Sequence, residues 1–428
     1  MSNLAHSEMH EVGEQPRSEA PRPELDSIRP VPRVSIQAFC ETEAIANSIE
    51  NASGDRRMAK AHVKVHMGGI LTATDFYSNA PTPNLIVVES KSDPGGLIAD
   101  LERLAQVCDA GSKVVVIGHE NDVQLYRELT SRGVSEYLVA PVSMADIMKI
   151  VSELFVNPEA DPLGQSFAFV GAKGGVGSST IAHNVAWTIA DKFESDVILG
   201  DFDLAFGTAN INFDQDPAQG MAEAVMSPDR VDDTYLDRIL AKCSDHLNLL
   251  AAPSVLDRPY DFGPGDFTSI VEVAQRSTPN VVMDIPHLWS GWSQQLLSSA
   301  DKVIVTAVPD LANLRNTKNL IDKLKDLRPN DSTPYLVLNQ CNVSKRPEIS
   351  VSDFCEPLEI EPLAVIPFEP NLFGTAGNNG QMISEMDPKH AVVGMIEQVA
   401  NIITGRTPAG EQKKASGMSL LQRFRKQK

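Results

Sequence analysis

A glycine-rich segment between an apolar strand and a helix carries the clearest chemistry in the chain. Residues 172–180 read Ala-Lys-Gly-Gly-Val-Gly-Ser-Ser-Thr; they follow the apolar run 167–170 and precede apolar residues spaced by four. Glycines let backbone N–H groups converge on phosphate oxygens, and a helix N-terminus adds a positive dipole. The segment predicts a phosphate-binding loop, although a tight turn that needs glycine only for packing would show the same glycines.

Acidic and polar residues close several other apolar runs. Asp201 and Asp203 follow one run and, being two residues apart, point to the same side of an extended segment. Asp284 ends a second run, and an acid there can hold a water on magnesium. Asn339 and Pro367 close two more runs. Capped, solvated strand ends and turn chemistry are the alternatives for these positions.

Two stretches of alternating strand and helix patterns position these residues. Short β-branched runs between helical patterns predict parallel sheets with crossover helices, and therefore an α/β fold. Polar segments that contain proline interrupt the pattern before the first stretch and between the two stretches. We predict a disordered segment, a first α/β domain, a linker, a second α/β domain and a basic tail, with the boundaries 1–33, 34–156, 157–165, 166–405 and 406–428.

Composition narrows the classes of function. The chain has 428 residues and a formal charge of −20, which disfavours nucleic acid as a partner. Five scattered cysteines without a CxxC pair indicate reduced thiols in a cytosolic protein. No apolar run approaches the length of about 18 residues that a membrane span needs. The N-terminus lacks the basic and apolar regions of a secretory signal.

The glycine-rich segment resembles the deviant Walker A motif of the MinD/ParA ATPases. The resemblance implies a P-loop fold that binds ATP and Mg²⁺, with Lys173 as the signature lysine that reaches the nucleotide of a partner subunit. It places Ser179 on magnesium with Asp201 and Asp284 near it, and Asp203 on the attacking water. It places Asn339 and Pro367 near the adenine base of the nucleotide. The remaining implied nucleotide contacts are Gly174, Gly175, Val176, Gly177, Ser178 and Thr180.

Two positions depart from that motif. Ser178 occupies the place of the ordinary P-loop lysine, and Ala172 replaces the usual first glycine. Losing a charge-assisted contact worth roughly 1.5–3 kcal/mol weakens nucleotide binding and removes charge that would offset the transition state. Binding with weak or absent hydrolysis is therefore expected. A positioning ATPase with ordinary turnover and a scaffold that no longer binds nucleotide are the alternatives.

Residues 34–155 resemble the receiver fold of response regulators. Where a working receiver has its phosphate-accepting aspartate this sequence has Glu89, and where it has its lysine this sequence has Ala140 before Pro141. Only Glu41 remains of the acidic pair that follows the first strand. We predict a pseudo-receiver that takes up no phosphate; an unrelated small α/β domain is the alternative.

The order of these domains, together with the lysine-to-serine change, is similar to that in the CpaE/TadZ family of the tight-adherence (Flp) pilus system. The resemblance implies an ATP-dependent homodimer that places the pilus secretion machinery at the cell pole, with this machinery or polar scaffold proteins as partners. It also implies a cytoplasmic location peripheral to the inner membrane.

The C-terminal tail differs in charge from the rest of the chain. Residues 413–428 contain six basic residues and no acid, with Leu420, Leu421 and Phe424 spaced three and four apart. A short basic helix with one apolar face suits an anionic membrane surface. A solvated tail and a docking peptide for a protein partner are the alternatives.

Overall fold

The computed structural model describes Leu25 and residues 28–156, 163–256 and 259–406. Most of the predicted lead-in and linker, and the basic tail 413–428, lie outside the described residues. The part of the lead-in that is described is packed, in contrast to the predicted disorder. Leu25 and Val31 are buried in the core of the first domain, and Val31 N–H donates to Arg57 O at 2.8 Å.

The first domain is a five-stranded parallel sheet in the order β2-β1-β3-β4-β5. Helices α1 and α5 cover one face, and α2, α3 and α4 cover the other. This is the predicted receiver-like arrangement. The elements are β1 Val34–Cys40, α1 Glu43–Ser53, β2 Ala61–Met67, α2 Gly69–Tyr77, β3 Leu85–Glu89, α3 Pro94–Ala105, β4 Lys113–Gly118, α4 Val123–Ser131, β5 Glu136–Val139 and α5 Met144–Phe155.

The second domain contains an eight-stranded sheet in the order β13-β12-β11-β6-β10-β7-β9-β8, in which only the short β8 is antiparallel. The strands are β6 Gln165–Gly171, β7 Val197–Asp201, β8 Ala241–Lys242, β9 Leu247–Leu250, β10 Asn280–Ile285, β11 Lys302–Ala307, β12 Tyr335–Cys341 and β13 Ala364–Pro367. A central parallel sheet with helices on both faces confirms the predicted α/β class.

The helices of the second domain bury apolar residues against the two faces of this sheet. They are α6 Ser178–Phe193, α7 Ala209–Asn212, α8 Met221–Met226, α9 Asp233–Ile239, α10 Thr268–Ser277, α11 Gly291–Ser299, α12 Leu311–Leu327, α13 Val351–Cys355, α14 Pro370–Asn379, α15 Ile383–Met386 and α16 Ala391–Ile403. Because seven strands run parallel, their carboxyl ends share one edge of the sheet, where the predicted site residues lie.

A buried group of charges joins the two domains at the opposite, amino edge of the second sheet. Asp331 accepts from Arg56 Nε and Arg57 Nη2, both at 2.8 Å, and from Arg328 Nε at 3.0 Å. Arg56 also pairs with Asp301, the residue before β11, at 3.1 Å. We call this group the domain-joining ion cluster; its members are Asp55, Arg56, Arg57, Asp301, Arg328 and Asp331.

Candidate functional site

The glycine-rich segment forms the loop between β6 and α6. Gly177 is the N-cap of α6. Gly175 and Gly177 have φ angles of +81° and +87°, which residues with a Cβ rarely adopt. A Cβ added at Gly174 or Gly175 would meet no atom within 4 Å, so this side of the loop is open. The loop therefore has the form that phosphate binding requires.

The loop carries one exposed cation and several hydroxyls. Lys173 is exposed, and no carboxylate in the described part of the chain pairs with it. Ser178 is the first residue of α6; its Oγ is buried and has no hydrogen-bond partner among the described residues. Ser179 and Thr180 follow it and are half-buried. An orphaned buried hydroxyl at a helix N-terminus fits an anionic ligand.

Two buried carboxylates lie at the ends of neighbouring strands. Asp201 ends β7 and Asp284 lies in β10, in register with it. Asp201 is fully buried; its two oxygens accept from Asp203 N and Ala209 N, both at 3.1 Å. Burial, and then the Asp284 carboxylate, raise the pKa of Asp201 from its ordinary 3.8 to about 7. A cation between these acids would relieve their repulsion.

Sequence reasoning missed a histidine at this point. His183 Nε2 lies 3.3 Å from Asp284 Oδ2, and His183 is buried. Its other ring nitrogen lies 3.0 Å from Asn212 Nδ2, which orients the ring. His183 stands four residues after Ser179, on the same face of α6. That spacing is the signal in the sequence that could have found it.

Asp203 lies in the loop that follows β7. Its Oδ1 accepts from Phe206 N at 3.0 Å, and its own N–H donates to Asp201. The loop then closes over Asp201, because a Cβ at Gly207 would come within 2.3 Å of Asp201 Oδ2. Asp203 is thus half-buried beside the carboxylate pair, and its role on the attacking water stays a prediction.

The predicted base-side residues lie on adjacent strands. Asn339 is buried near the end of β12, and its Nδ2 donates to Val176 O in the glycine-rich loop at 2.8 Å. Pro367 ends β13, opposite Cys341 of β12. The structure brings Asn339 against the loop itself, and a role for either residue in base recognition stays a prediction.

The residues at this edge fit a magnesium–nucleoside triphosphate. Magnesium in such sites usually takes one or two protein ligands together with phosphate oxygens and water. Within the described ranges, no group of three or more His, Cys, Asp or Glu side chains could hold a metal ion by itself. The hydroxyl of Ser179 and the acids Asp201 and Asp284 could supply the oxygen ligands that magnesium prefers; their role on the metal stays a prediction.

The corresponding edge of the first sheet has a different character. Glu89 ends β3 and is fully buried. Its Oε2 accepts from Glu41 N and Thr42 N, both at 2.8 Å, and its Oε1 accepts from Thr42 Oγ1 at 2.8 Å. His119 Nε2 lies 3.1 Å from Oε1. The carboxylate is therefore enclosed by the domain's own hydrogen bonds.

The second domain shares its fold with P-loop proteins of the MinD/ParA type. A ParA family ATPase from Chlorobium tepidum TLS shares this fold at 22% identity; the match covers 55% of this chain and 98% of that one, with a TM-score of 0.51. The septum site-determining protein MinD of Bacillus subtilis is 24% identical over 259 residues, which is 57% of this chain and 91% of that protein.

Sequence identity over the front part gives the particular family. A crystal structure of a pilus assembly protein CpaE from Caulobacter crescentus CB15 is 46% identical; the match covers 30% of this chain and 98% of that one, with a TM-score of 0.30. On that identity, the chain belongs to the CpaE family. A scan against protein-family models found no matching model. No helix in the described ranges has the length and apolarity that crossing a bilayer requires.

Proposed function

We propose that this chain is an ATP-binding, dimerising localisation factor for type IVb (Flp) pilus assembly. The observation that carries the proposal is the glycine-rich loop, which is open at Gly174 and Gly175 and lies at the same sheet edge as two buried carboxylates. Such a site favours an anion and a cation together. The CpaE relative supports the pilus context, since its name gives it as a pilus assembly protein.

Each residue of the site has a part in this proposal. The N–H groups of residues 174–179 and the positive end of α6 bind the phosphates. Ser179, Asp201 and Asp284 hold Mg²⁺, which supplies charge neutralisation when bound, and Asp203 orients a water. Asn339 and Pro367 contact the base. Lys173 is exposed and so can reach the nucleotide of a second copy.

The first residue of α6 supports slow turnover. Ser178 offers a hydroxyl where a lysine would put a positive charge against the phosphates. Binding can rely on backbone N–H groups, but charge stabilisation of the transition state is then weaker. We therefore propose weak or absent hydrolysis.

Exposed apolar side chains around the site support dimerisation through this edge. Phe206 is 74% and Leu311 73% exposed, in the segments that follow β7 and β11. Others follow β9, β10 and β13, namely Val255, Leu256, Leu288, Trp289 and Phe368. Apolar residues gathered on one edge mark an interaction surface. The first domain is docked on the opposite edge and leaves this surface open.

The rest of the chain completes the proposal. We place the receiver-like domain at 34–156 and the nucleotide-binding domain at 166–405. The enclosed carboxylate of Glu89 supports a pseudo-receiver that binds partners at the cell pole without taking up phosphate. The basic segment 413–428 would contact anionic lipid and hold the dimer at the inner membrane.

Sedimentation with and without nucleotide tests the proposal. Mg-ATP should shift the wild-type protein from monomer to dimer, and Lys173→Ala should abolish the shift while a fluorescent ATP analogue still binds. Lys325→Ala is the matched control, because this exposed lysine lies in the last turn of α12, towards the amino edge. A dimer that forms without ATP and survives Lys173→Ala would refute the proposed switch.

A further inference from the structure

Side chains from distant parts of the chain hold the backbone of the glycine-rich loop. Ahead of the glycines, Gly171 O lies 2.8 Å from His287 Nδ1, and Ala172 O accepts from Asn316 Nδ2 at 2.9 Å. A carbonyl oxygen only accepts, so His287 Nδ1 must carry the hydrogen. These donors come from the segment after β10 and from α12.

The glycines themselves are held from the other side by β12. Gly175 O accepts from Gln340 Nε2 at 2.9 Å, and Val176 O accepts from Asn339 Nδ2 at 2.8 Å. Four carbonyls of the loop, those of residues 171, 172, 175 and 176, thus each have a side-chain donor. We call the donors His287, Asn316, Asn339 and Gln340 the carbonyl clamp.

One residue of the clamp, Gln340, has an unfavourable backbone conformation. Gln340 has a φ angle of +50°, a region that L-residues with a side chain rarely adopt. The next turn stabilises it, since Arg346 Nη2 donates to Gln340 O and Glu348 accepts from Asn342 N at 2.8 Å. Backbone strain that the surroundings maintain is found mostly at functional positions.

Holding the carbonyls has a consequence for the N–H groups. A peptide plane is rigid, so holding the carbonyls of Gly175 and Val176 fixes the N–H groups of Val176 and Gly177 on the other side. Holding the carbonyls of Gly171 and Ala172 fixes the start of the loop, from which these N–H groups extend. An array of N–H groups that is ordered beforehand binds an anion without the cost of ordering the loop. This matters more here than in a loop with a lysine, because Ser178 supplies no charge.

We propose that the carbonyl clamp sets the loop in its anion-binding shape before the ligand arrives and so offsets the lost lysine. This inference rests on the proposed nucleotide binding and adds to it three residues, His287, Asn316 and Gln340, as positioning residues. They act on the ligand only through the backbone of the loop.

Asn316→Asp is the sharpest test, because it keeps the size of the side chain and the oxygen that accepts from Arg315. It replaces the donor to Ala172 O with an acceptor. Asn319→Asp is the matched control: it adds the same charge to the same helix, at an exposed residue. We expect Asn316→Asp to bind a fluorescent ATP analogue with Mg²⁺ about 3- to 10-fold more weakly than Asn319→Asp.

A second variant tests the opposite side of the loop without a change of charge. Gln340→Met removes the donor to Gly175 O and should weaken binding about 3- to 10-fold. This variant decides the matter if Asn316→Asp fails to fold, which thermal melting would reveal.

Hydrogen exchange of the loop amides, measured without nucleotide, separates the clamp from the proposed function. Peptides covering 172–180 should exchange faster in Asn316→Asp and Gln340→Met than in the wild type and Asn319→Asp. Unchanged exchange in both variants overturns the clamp, whatever the nucleotide does. If the loop amides exchange faster but the affinity for nucleotide is unchanged, the clamp does not compensate for the missing lysine. If the wild type binds no nucleotide, the proposed function fails, and exchange still decides whether the clamp holds the loop.

Discussion

Each of the two sheets has a strand that ends in a buried carboxylate at its carboxyl edge. Glu89 ends β3 of the first domain, and Asp201 ends β7 of the second; both side chains are fully buried. Glu89 is surrounded by donors from its own domain. Asp201 also accepts two backbone N–H groups, but it faces a second acid, Asp284, which with burial raises its pKa to about 7.

A buried acid at a strand end indicates a ligand site only in combination with the residues around it. The first carboxylate is satisfied inside the protein and needs no ligand. The second is short of positive charge, and a bound cation would stabilise it. Both sheets thus carry a buried acid at a strand end, and the residues around each acid decide whether it supports the structure or binds a ligand.

Replacing the first acid should produce the largest effect. Glu89→Gln puts an N–H₂ group against the backbone donors of Glu41 and Thr42, so the first domain should lose about 2–4 kcal/mol of unfolding free energy. All three tryptophans lie after residue 165. Urea unfolding followed by circular dichroism should therefore show an earlier transition, while tryptophan fluorescence changes little.

Glu120→Gln is the control for that experiment, since Glu120 is an exposed acid in the same domain. It should unfold like the wild type. Equal stability of Glu89→Gln and the wild type would contradict the contrast between the two acids. It would mean that the hydrogen bonds around the Glu89 carboxylate do not stabilise the domain.

The raised pKa of Asp201 should make the stability of the protein depend on pH. The pKa of Asp201 is about 7 in the folded protein and 3.8 ordinarily, so the folded state holds the extra proton between these values. The unfolding free energy therefore falls as pH rises from about 4 to 7. Asp201→Asn should flatten this slope by about 1–2 kcal/mol over the window.

Urea unfolding followed by tryptophan fluorescence, in EDTA and at several pH values, measures this slope. Adding Mg²⁺ at pH 7.5 should stabilise the wild type and not Asp201→Asn. Slopes that coincide for the two proteins would show that the repulsion between Asp201 and Asp284 is absent, and the contrast with Glu89 would disappear.

The receiver-like domain should show no phosphorylation, which is the smallest effect expected. Incubation with acetyl phosphate and Mg²⁺ should leave the mass and the mobility of the wild type unchanged, because the oxygens of Glu89 are already engaged. Mass spectrometry checks this, with a functional receiver as positive control. A phosphorylated species that is lost in Glu89→Gln would show that the enclosed carboxylate opens.

Much of the fold could be predicted from the sequence because buried parallel strands are continuous apolar runs. The runs at 85–88, 113–117 and 303–306 lie within β3, β4 and β11. β2 has no such run, because it is an edge strand in which the exposed His62 and Lys64 interrupt the apolar residues. The two-residue β8 has too few residues for any pattern.

The site was predictable only where it is local in sequence. The glycine-rich loop and the strand-end acids have motifs, and a helical spacing could have revealed His183. The carbonyl clamp has no local sequence pattern, because His287, Asn316 and Gln340 are 116, 144 and 165 residues away from their acceptors. Only the order of the strands brings them to the loop.

The domain-joining ion cluster sets the geometry of any assembly that this chain forms. It fastens the receiver-like domain to the amino edge, away from Lys173 and the apolar residues of the carboxyl edge. Two copies joined through their carboxyl edges would therefore carry the receiver-like domains at their two outer ends. Such an assembly is bivalent, so a weak contact to a repetitive array of partners becomes tight when both ends engage.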